Sequence, residues 1–210
     1  MFAVTDIEFK IERIGEGEKE AVYSFLKESF FGHEPLTASR NDVPPIEDLT
    51  SIQVGIPQGY SLKAVDGEGN MVAVCMNLDW NNRDPEVNTS DEKMKKLFAF
   101  FEYCEEKAGI SELKDHLTLQ ILSVHPKWRN RGLGGRLIDS TVELAKEEGF
   151  TGLHAICTSS FTAEAVRRRQ WECKLREKYE DYKNAKAGGL PFETPKPPHT
   201  EYCVYVKHLT

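Results

Sequence analysis

The sequence predicts an α/β or α+β domain, with strands and helices mixed through one core. Three observations carry this. Apolar residues alternate at period two in some stretches and recur at period 3.6 in others, and the two kinds follow one another along the chain. Residues 116–124, "HLTLQILSV", are almost continuously apolar, as in a strand covered on both faces. That run leads at once into a glycine-rich loop and then into an amphipathic helix pattern.

The elements follow in order. In 6–14, Ile7, Phe9 and Ile11 alternate with charged neighbours, a strand pattern. In 17–31, Val22, Phe25, Leu26 and Phe30 fall at helical spacing, and Gly32 and Pro35 stop the run. Residues 44–59 read as a short helix opened by prolines and closed by Gly and Pro. The stretches 60–65 and 71–80 are strands flanking the turn "DGEGN", hence a hairpin. A helix is expected over 91–109, with Ser90 as its N-cap and Gly109 as its stop. After the 116–124 strand, Leu133, Leu137, Ile138, Val142 and Ala145 mark a helix ending near Gly149. Residues 152–157 form another buried strand, 158–170 a helix behind three candidate capping hydroxyls, and 201–209 the last strand. Between these last two, periodicity does not choose. Trp171, Cys173 and Leu175 alternate as in a strand, while Trp171, Leu175, Tyr179 and Tyr182 fit a helix.

A chain of 210 residues can bury one substantial core. No repeat, low-complexity tract or boundary is visible, so one domain over residues 1–210 is expected. The net charge of −7 and pI near 5.5 argue against general binding to nucleic acid or anionic membranes. No apolar run reaches the roughly 18 residues of a membrane span, and the N-terminal stretch lacks the pattern of a secretory signal. The five cysteines are far apart and form no CxxC, and no HxxxH pair occurs. Neither a disulfide framework nor a metal site is expected, and a cytoplasmic setting fits best.

Against this acidic background, "HPKWRNRGLGGRL" at 125–137 gathers Lys127, Arg129, Arg131 and Arg136 around three glycines without one acid. A helix start leaves backbone N–H groups unpaired and carries partial positive charge. Glycines let a phosphate approach those donors, and arginines add charge-assisted bonds. The loop therefore suits the polyphosphate of a cofactor. It is not a Walker A loop, since GxxxxGK followed by Ser or Thr is absent, nor a dinucleotide fingerprint.

The run Arg129-Asn-Arg-Gly132-Leu-Gly134 matches the Q/R-x-x-G-x-G/A signature of the GNAT acetyltransferases. Three stretches resemble the insect-type arylalkylamine N-acetyltransferases within that superfamily: "FFGHEPL", "HAICTSSFTAEAV" and "YEDYK". The resemblance spans nearly the whole chain. It implies a mixed, splayed sheet of about seven strands flanked by helices, with acetyl-CoA in its opening. Leu122, Ser123 and Val124 would pair with the pantetheine arm. The backbone from Arg129 through Asn130, Arg131, Gly132, Leu133 and Gly134 to Gly135 would meet the diphosphate.

The resemblance also implies a chemistry. An alkylamine, with a pKa near 10, is protonated at neutral pH and needs a base before it can attack a thioester. Glu34 stands where the insect-type enzymes carry a catalytic glutamate before Pro-Leu. An apolar wall from Phe30 or Phe31 would suit that role. The Val124 N–H is the expected oxyanion donor. Thr158 and Thr162 stand at positions where relatives carry catalytic serines, although capping by Thr158 or Ser159 is the main role expected from the residues alone. Phe161 replaces a tyrosine acid common in acetyltransferases, leaving Tyr179 and Tyr182 as substitutes. Direct transfer needs no acetylated Cys157. Asp79 and Trp80, at a strand end, are candidates for the border of the amine site. The helix at 158–170 ends in "RRRQWE" where relatives read xxLGF, so its turn lacks the usual glycine.

The expected activity is acetyl-CoA-dependent N-acetylation of a small primary amine by a monomer or weak dimer, with arylalkylamines such as dopamine or serotonin leading. Polyamines, another amine or a protein amine, and a CoA-holding scaffold with little catalysis, are the alternatives.

Overall fold

The computed structural model describes residues 9–38, 42–83, 89–182 and 193–209. In chain order the elements are β1 (Lys10–Arg13), α1 (Lys19–Ser29), α2 (Thr50–Gln53), β2 (Leu62–Val65), β3 (Met71–Asp79), α3 (Glu92–Lys107) and β4 (His116–Val124). There follow α4 (Leu133–Glu147), β5 (Gly152–Cys157), α5 (Ser160–Arg167), β6 (Glu172–Lys178) and β7 (Glu201–His208). The strands form one seven-stranded sheet in the order β1-β2-β3-β4-β5-β7-β6. Strands β4 and β5 are parallel and connected through α4, and every other neighbouring pair is antiparallel.

Local chemistry explains most boundaries, including those the sequence misplaces. The N-cap of α3 is Asp91 rather than Ser90; its carboxylate accepts from the amides of Lys93 at 2.8 Å and Met94 at 3.2 Å. Aspartate caps as well as serine and adds negative charge at the positive helix end. The run at 44–59 breaks into a 3₁₀ turn, Ile46–Asp48, and the single helical turn of α2. Residues 172–178 are the strand β6, whose ladder with β7 overrides the helical reading. Tyr179 and Tyr182 reach the core from a following 3₁₀ turn, which is why they mimicked a helical stripe. The 6–8 part of the first strand and residues 183–192 lie outside the described residues.

The turn after α5 keeps a left-handed residue without a glycine. Gln170 adopts φ 59°, with its amide donating to Arg167 O at 3.0 Å. A side chain in that region costs on the order of 1 kcal/mol. Gln170→Gly is therefore expected to stabilise the fold by about 0.5–1 kcal/mol in urea denaturation. A loss of stability would show that the glutamine side chain holds the turn.

Two layers of helix cover the sheet. On one face α4 and α5 pack over β2 to β5 and β7, through Leu137, Ile138, Leu144, Val166 and Trp171. The other face holds two separate clusters. One gathers α1 and α2 over β3 and β4, with Phe25, Leu26, Ile52, Met76 and Ile121. The second gathers α3 over β7, with Phe100, Tyr179, Tyr202 and Val204.

That division follows from the middle of the sheet. The β4–β5 pairing runs from His116↔Gly152 to Leu119↔Ala155 and stops there, although β4 continues to Val124 and β5 to Cys157. At the same level the β3–β4 register skips Gln120, a bulge that bends β4. The two halves of the sheet part beyond that point, and the opening lies at the C-terminal ends of the two parallel strands.

Candidate active site

Four segments border this opening. The first is the end of β4. His125 N donates to Val72 O at 2.9 Å, which makes that pair hydrogen-bonded. By antiparallel alternation, Leu122 and Val124 are in non-hydrogen-bonded positions against β3, so their N–H and C=O groups face the β5 side. The Val124 carbonyl accepts from Arg129 Nε at 3.1 Å. The side chains of Leu122 and Val124 pack on the α4 face. Ser123 points to the other, where its buried hydroxyl donates to Ser29 Oγ at 2.9 Å.

The second segment is the glycine-rich loop. After the 3₁₀ turn Pro126–Trp128, Asn130 at φ 62° and Gly132 at φ 76° are both left-handed, and Gly132 is the N-cap of α4. No side chain caps this helix, in contrast to α3 and α5. The amides of Leu133, Gly134 and Gly135 therefore open the helix without an intrahelical acceptor. Leu133 is buried, while Asn130, Arg131 and Gly132 are exposed. The Arg131 guanidinium lies 4.9 Å from the Trp128 ring and that of Arg136 4.9 Å from Phe9. Arg129 behaves otherwise than expected. Its guanidinium turns inward, donating to Val124 O and, at 3.2 Å, to Ser29 O. Through these two carbonyls its side chain ties the loop to the end of β4 and to α1.

The third segment, residues 30–37, crosses the opening. Phe31 packs in the α1–α2 cluster and Leu36 in the α3 cluster, which puts Glu34 between the halves. The Glu34 carboxylate accepts from Leu36 N at 3.1 Å to each oxygen and from Thr37 N at 2.7 Å. A turn capped by its own side chain thus fixes the acid.

The fourth segment follows β5. Thr158 Oγ1 donates to Glu34 Oε1 at 2.8 Å. The expectation that Thr158 or Ser159 caps α5 resolves in favour of Ser159, which accepts from Phe161 N at 3.3 Å. The threonine is thereby free for the carboxylate. Tyr179 is almost fully buried, and its hydroxyl donates to Thr158 O at 2.7 Å. Burial pushes its phenol above the usual range, with the Glu34 charge acting in the same direction. Tyr179 is thus a buttress behind Thr158, and Tyr182 is buried beside it in the aromatic cluster. Thr162 sits half-buried in the first turn of α5 and makes no hydrogen bond to Glu34 or Thr158.

One site neighbour escaped the sequence. His199, just before β7, accepts from Ser160 N through Nδ1 at 3.2 Å, with Ser160 Oγ at 3.1 Å from the same atom. A neutral ring with Nδ1 accepting carries its proton on Nε2. Burial holds the pKa of this imidazole below its ordinary range, favouring the neutral ring, and the Glu34 charge opposes that shift. Phe161, 70% exposed, meets His199 edge-on at 5.2 Å. Nothing in the local pattern of a proline-rich connection announces such a histidine.

Other candidates fall away. Asp79 and Trp80 are buried, and Asp79 pairs with Leu117 at the far end of β4. Seven residues of strand, about 23 Å, separate that end from Val124. Cys157 is buried and its thiol is pushed up by desolvation, the opposite of an activated nucleophile.

Residues 68–168 match the Acetyltransferase (GNAT) family. The structure of arylalkylamine N-acetyltransferase 2 from Aedes aegypti superposes with a TM-score of 0.83 at 24% identity, covering 97% of this chain and 100% of that one. The Drosophila melanogaster polyamine N-acetyltransferase, which forms N-acetylagmatine, gives 0.74 at 23% identity over 96% and 100%. The C-terminal condensation domain of Ebony, in complex with β-alanyl-dopamine, gives 0.81 at 18% identity over 97% and 100%. The family match runs through the bulged strand, the glycine-rich loop and the threonine segment, and the splayed sheet is shared with these structures, so the chain carries a GNAT acetyltransferase domain.

Proposed function

We propose that the protein transfers the acetyl group of acetyl-CoA to a small primary amine, arylalkylamines first, with Glu34 as general base. The observation that carries this is the Thr158–Glu34 hydrogen bond at 2.8 Å, which joins the two halves of the sheet across the opening. It sets a carboxylate at the end of the strands where the uncapped start of α4 also lies.

The residues present suit acetyl-CoA. The outward N–H and C=O of Leu122 match the amides of a pantetheine arm. The first amides of α4, flanked by Arg131 and Arg136, suit a diphosphate. An added Cβ at Gly134 would stand 3.6 Å from Leu122 and 3.7 Å from Val124, so this turn sits directly on the strand end. Bound acetyl-CoA supplies the acyl group; the protein supplies position, proton removal and a donor for the oxyanion.

Three donors, two backbone amides and the Thr158 hydroxyl, make four contacts with the Glu34 carboxylate, the Leu36 amide being shared between its two oxygens at 3.1 Å each. The ammonium of the substrate would displace one of these long, shared contacts or reach the carboxylate through water. Loss of an ammonium proton would free the nitrogen lone pair to attack the thioester carbon. The C–S bond would then break, and the CoA sulfur would leave as a thiolate and take up the second proton of the nitrogen, giving the amide and a free thiol. The Val124 N–H is the donor for the oxygen that becomes charged. The hydroxyl of Thr158 does here what a serine would, and its extra methyl leaves the bond intact, which speaks against a scaffold without catalysis. The five free thiols suit a reducing, cytoplasmic setting.

The test is release of free thiol from acetyl-CoA with a panel of phenylethylamine- and tryptamine-type amines, polyamines, agmatine and a peptide. The expected result is turnover with the arylalkylamines. Preference for polyamines or agmatine would move the substrate toward the Drosophila neighbour. Turnover only with the peptide would make it a protein acetyltransferase. Silence across the panel, or no heat of binding with acetyl-CoA, would reject the reading.

A further inference from the structure

We propose that Gly135 is a glycine to admit Arg169, and that the Arg169–Asp139 clasp laid across it is a positioning device holding α5 against the cofactor turn. A Cβ built on Gly135 overlaps Nη2 of Arg169 and lies 3.0 Å from Cζ and 3.1 Å from Nη1. Its three nearest atoms all belong to that one guanidinium, whereas Gly134 next to it faces the side chains of β4. The guanidinium is held by both helices. It makes a two-pronged pair with Asp139, Nε to Oδ1 at 2.6 Å and Nη2 to Oδ2 at 2.9 Å, and Nη1 donates to Ala165 O at 3.1 Å. Asp139 is four residues after Gly135 and thus on the same face of α4. The Arg169 carbonyl accepts from Lys207 Nζ at 3.3 Å, which links the clasp to β7.

Electrostatics favour a geometric role over phosphate capture. A lone guanidinium beside the first turn of α4 would be repelled by the positive helix end. Asp139 cancels that charge, and a planar two-pronged pair fixes orientation as well as distance. What it orients matters. α4 begins in the glycine-rich loop. α5 begins directly after Thr158, which bonds Glu34, and at Ser160, which bonds His199. One clasp therefore sets the spacing between the cofactor turn and the carboxylate segment. Its catalytic consequence rests on the acetyl-CoA reading above, while its geometry does not.

The obvious substitution gives a clean test. Gly135→Ala keeps the amide at 135 and asks only the far end of a flexible side chain to move. A double-mutant cycle with Arg169→Ala is read by thermal midpoint, acetyl-CoA affinity by calorimetry, and KM for each substrate. Each single variant is expected to raise KM for acetyl-CoA about five-fold, with KM for the amine unchanged. In the Arg169→Ala background, Gly135→Ala should add no further loss and should raise the thermal midpoint, because alanine then fits and is the better helix former. Additive losses in acetyl-CoA affinity would overturn the proposal, by showing that Gly135 serves the diphosphate directly. A fall in midpoint with acetyl-CoA affinity unchanged well below it would overturn the positioning role. Absence of acetyl-CoA binding by the unaltered protein would instead overturn the functional reading, and the coupling in midpoint would still report the clasp.

Discussion

Glu34→Gln lowers the rate of acetyl transfer about 100-fold or more and leaves acetyl-CoA affinity unchanged. The amide is nearly isosteric and its oxygen still accepts from Thr158 or from the Leu36 and Thr37 amides, so the turn at 30–37 persists. Only the capacity to take a proton goes. The amine substrate is almost wholly ammonium at pH 7, with a pKa near 10, and without a base only about one molecule in a thousand is reactive. The deficit should shrink as pH rises toward that pKa, because solution chemistry then supplies the free amine. Rates against pH for both proteins, with calorimetry on each, check this. Equal turnover at neutral pH would remove Glu34 from its role, and a large loss of acetyl-CoA affinity would make the carboxylate structural.

The second large effect concerns stability in mild acid. His116 and His154 are fully buried between the starts of β4 and β5, their rings 4.9 Å apart, with Trp80 packed on both. Burial pushes His116 down to about 4; the Arg83 charge acts the same way, and Asp79, Asp115 and the Leu113 backbone oppose it. His154 is lowered by burial, then by His116 and Arg83. A group whose pKa is depressed in the fold binds fewer protons there than in the unfolded chain. Its contribution is therefore constant above the ordinary value of 6.5, falls as pH drops from 6.5 to about 4, and levels off below that.

For His116 the loss is about 2 kcal/mol by pH 5. Glu105 runs the other way. Burial holds its carboxyl up to about 7, so the fold takes that proton first and gains stability over part of the same range. The net curve mixes both, so the informative quantity is the difference between the protein and a His116→Phe variant, which keeps a ring beside Trp80 and removes the titration. In urea denaturation the variant should gain about 2 kcal/mol on the unaltered protein between pH 7 and pH 5. A difference that does not change with pH would show that His116 does not remain neutral in the fold.

Several features of the protein were settled by the chain alone. The bounds of β4 and β5, the helix after the glycine-rich loop and the β2–β3 hairpin follow from short-range periodicity and turn chemistry, and they hold without reference to the rest of the molecule. The loop itself was legible because left-handed glycine and an unpaired helix start are local properties.

Long-range contact decided the remainder. Glu34 and Thr158 are 124 residues apart, and His199 meets Ser160 across 39 more. No pattern along the chain encodes those meetings, because they depend on how far β4 and β5 part beyond Leu119 and Ala155. Arg129 is a mixed case: one of its acceptors, Val124 O, lies five residues back, while the other, Ser29 O, lies 100 residues away and is near only through the fold. Residues 172–178 fitted both periods and became a strand because β7 offered an unpaired edge. Sequence fixes the conformations that neighbouring residues impose on one another, whereas a catalytic arrangement is a matter of which distant surfaces the packed sheet brings within hydrogen-bond reach.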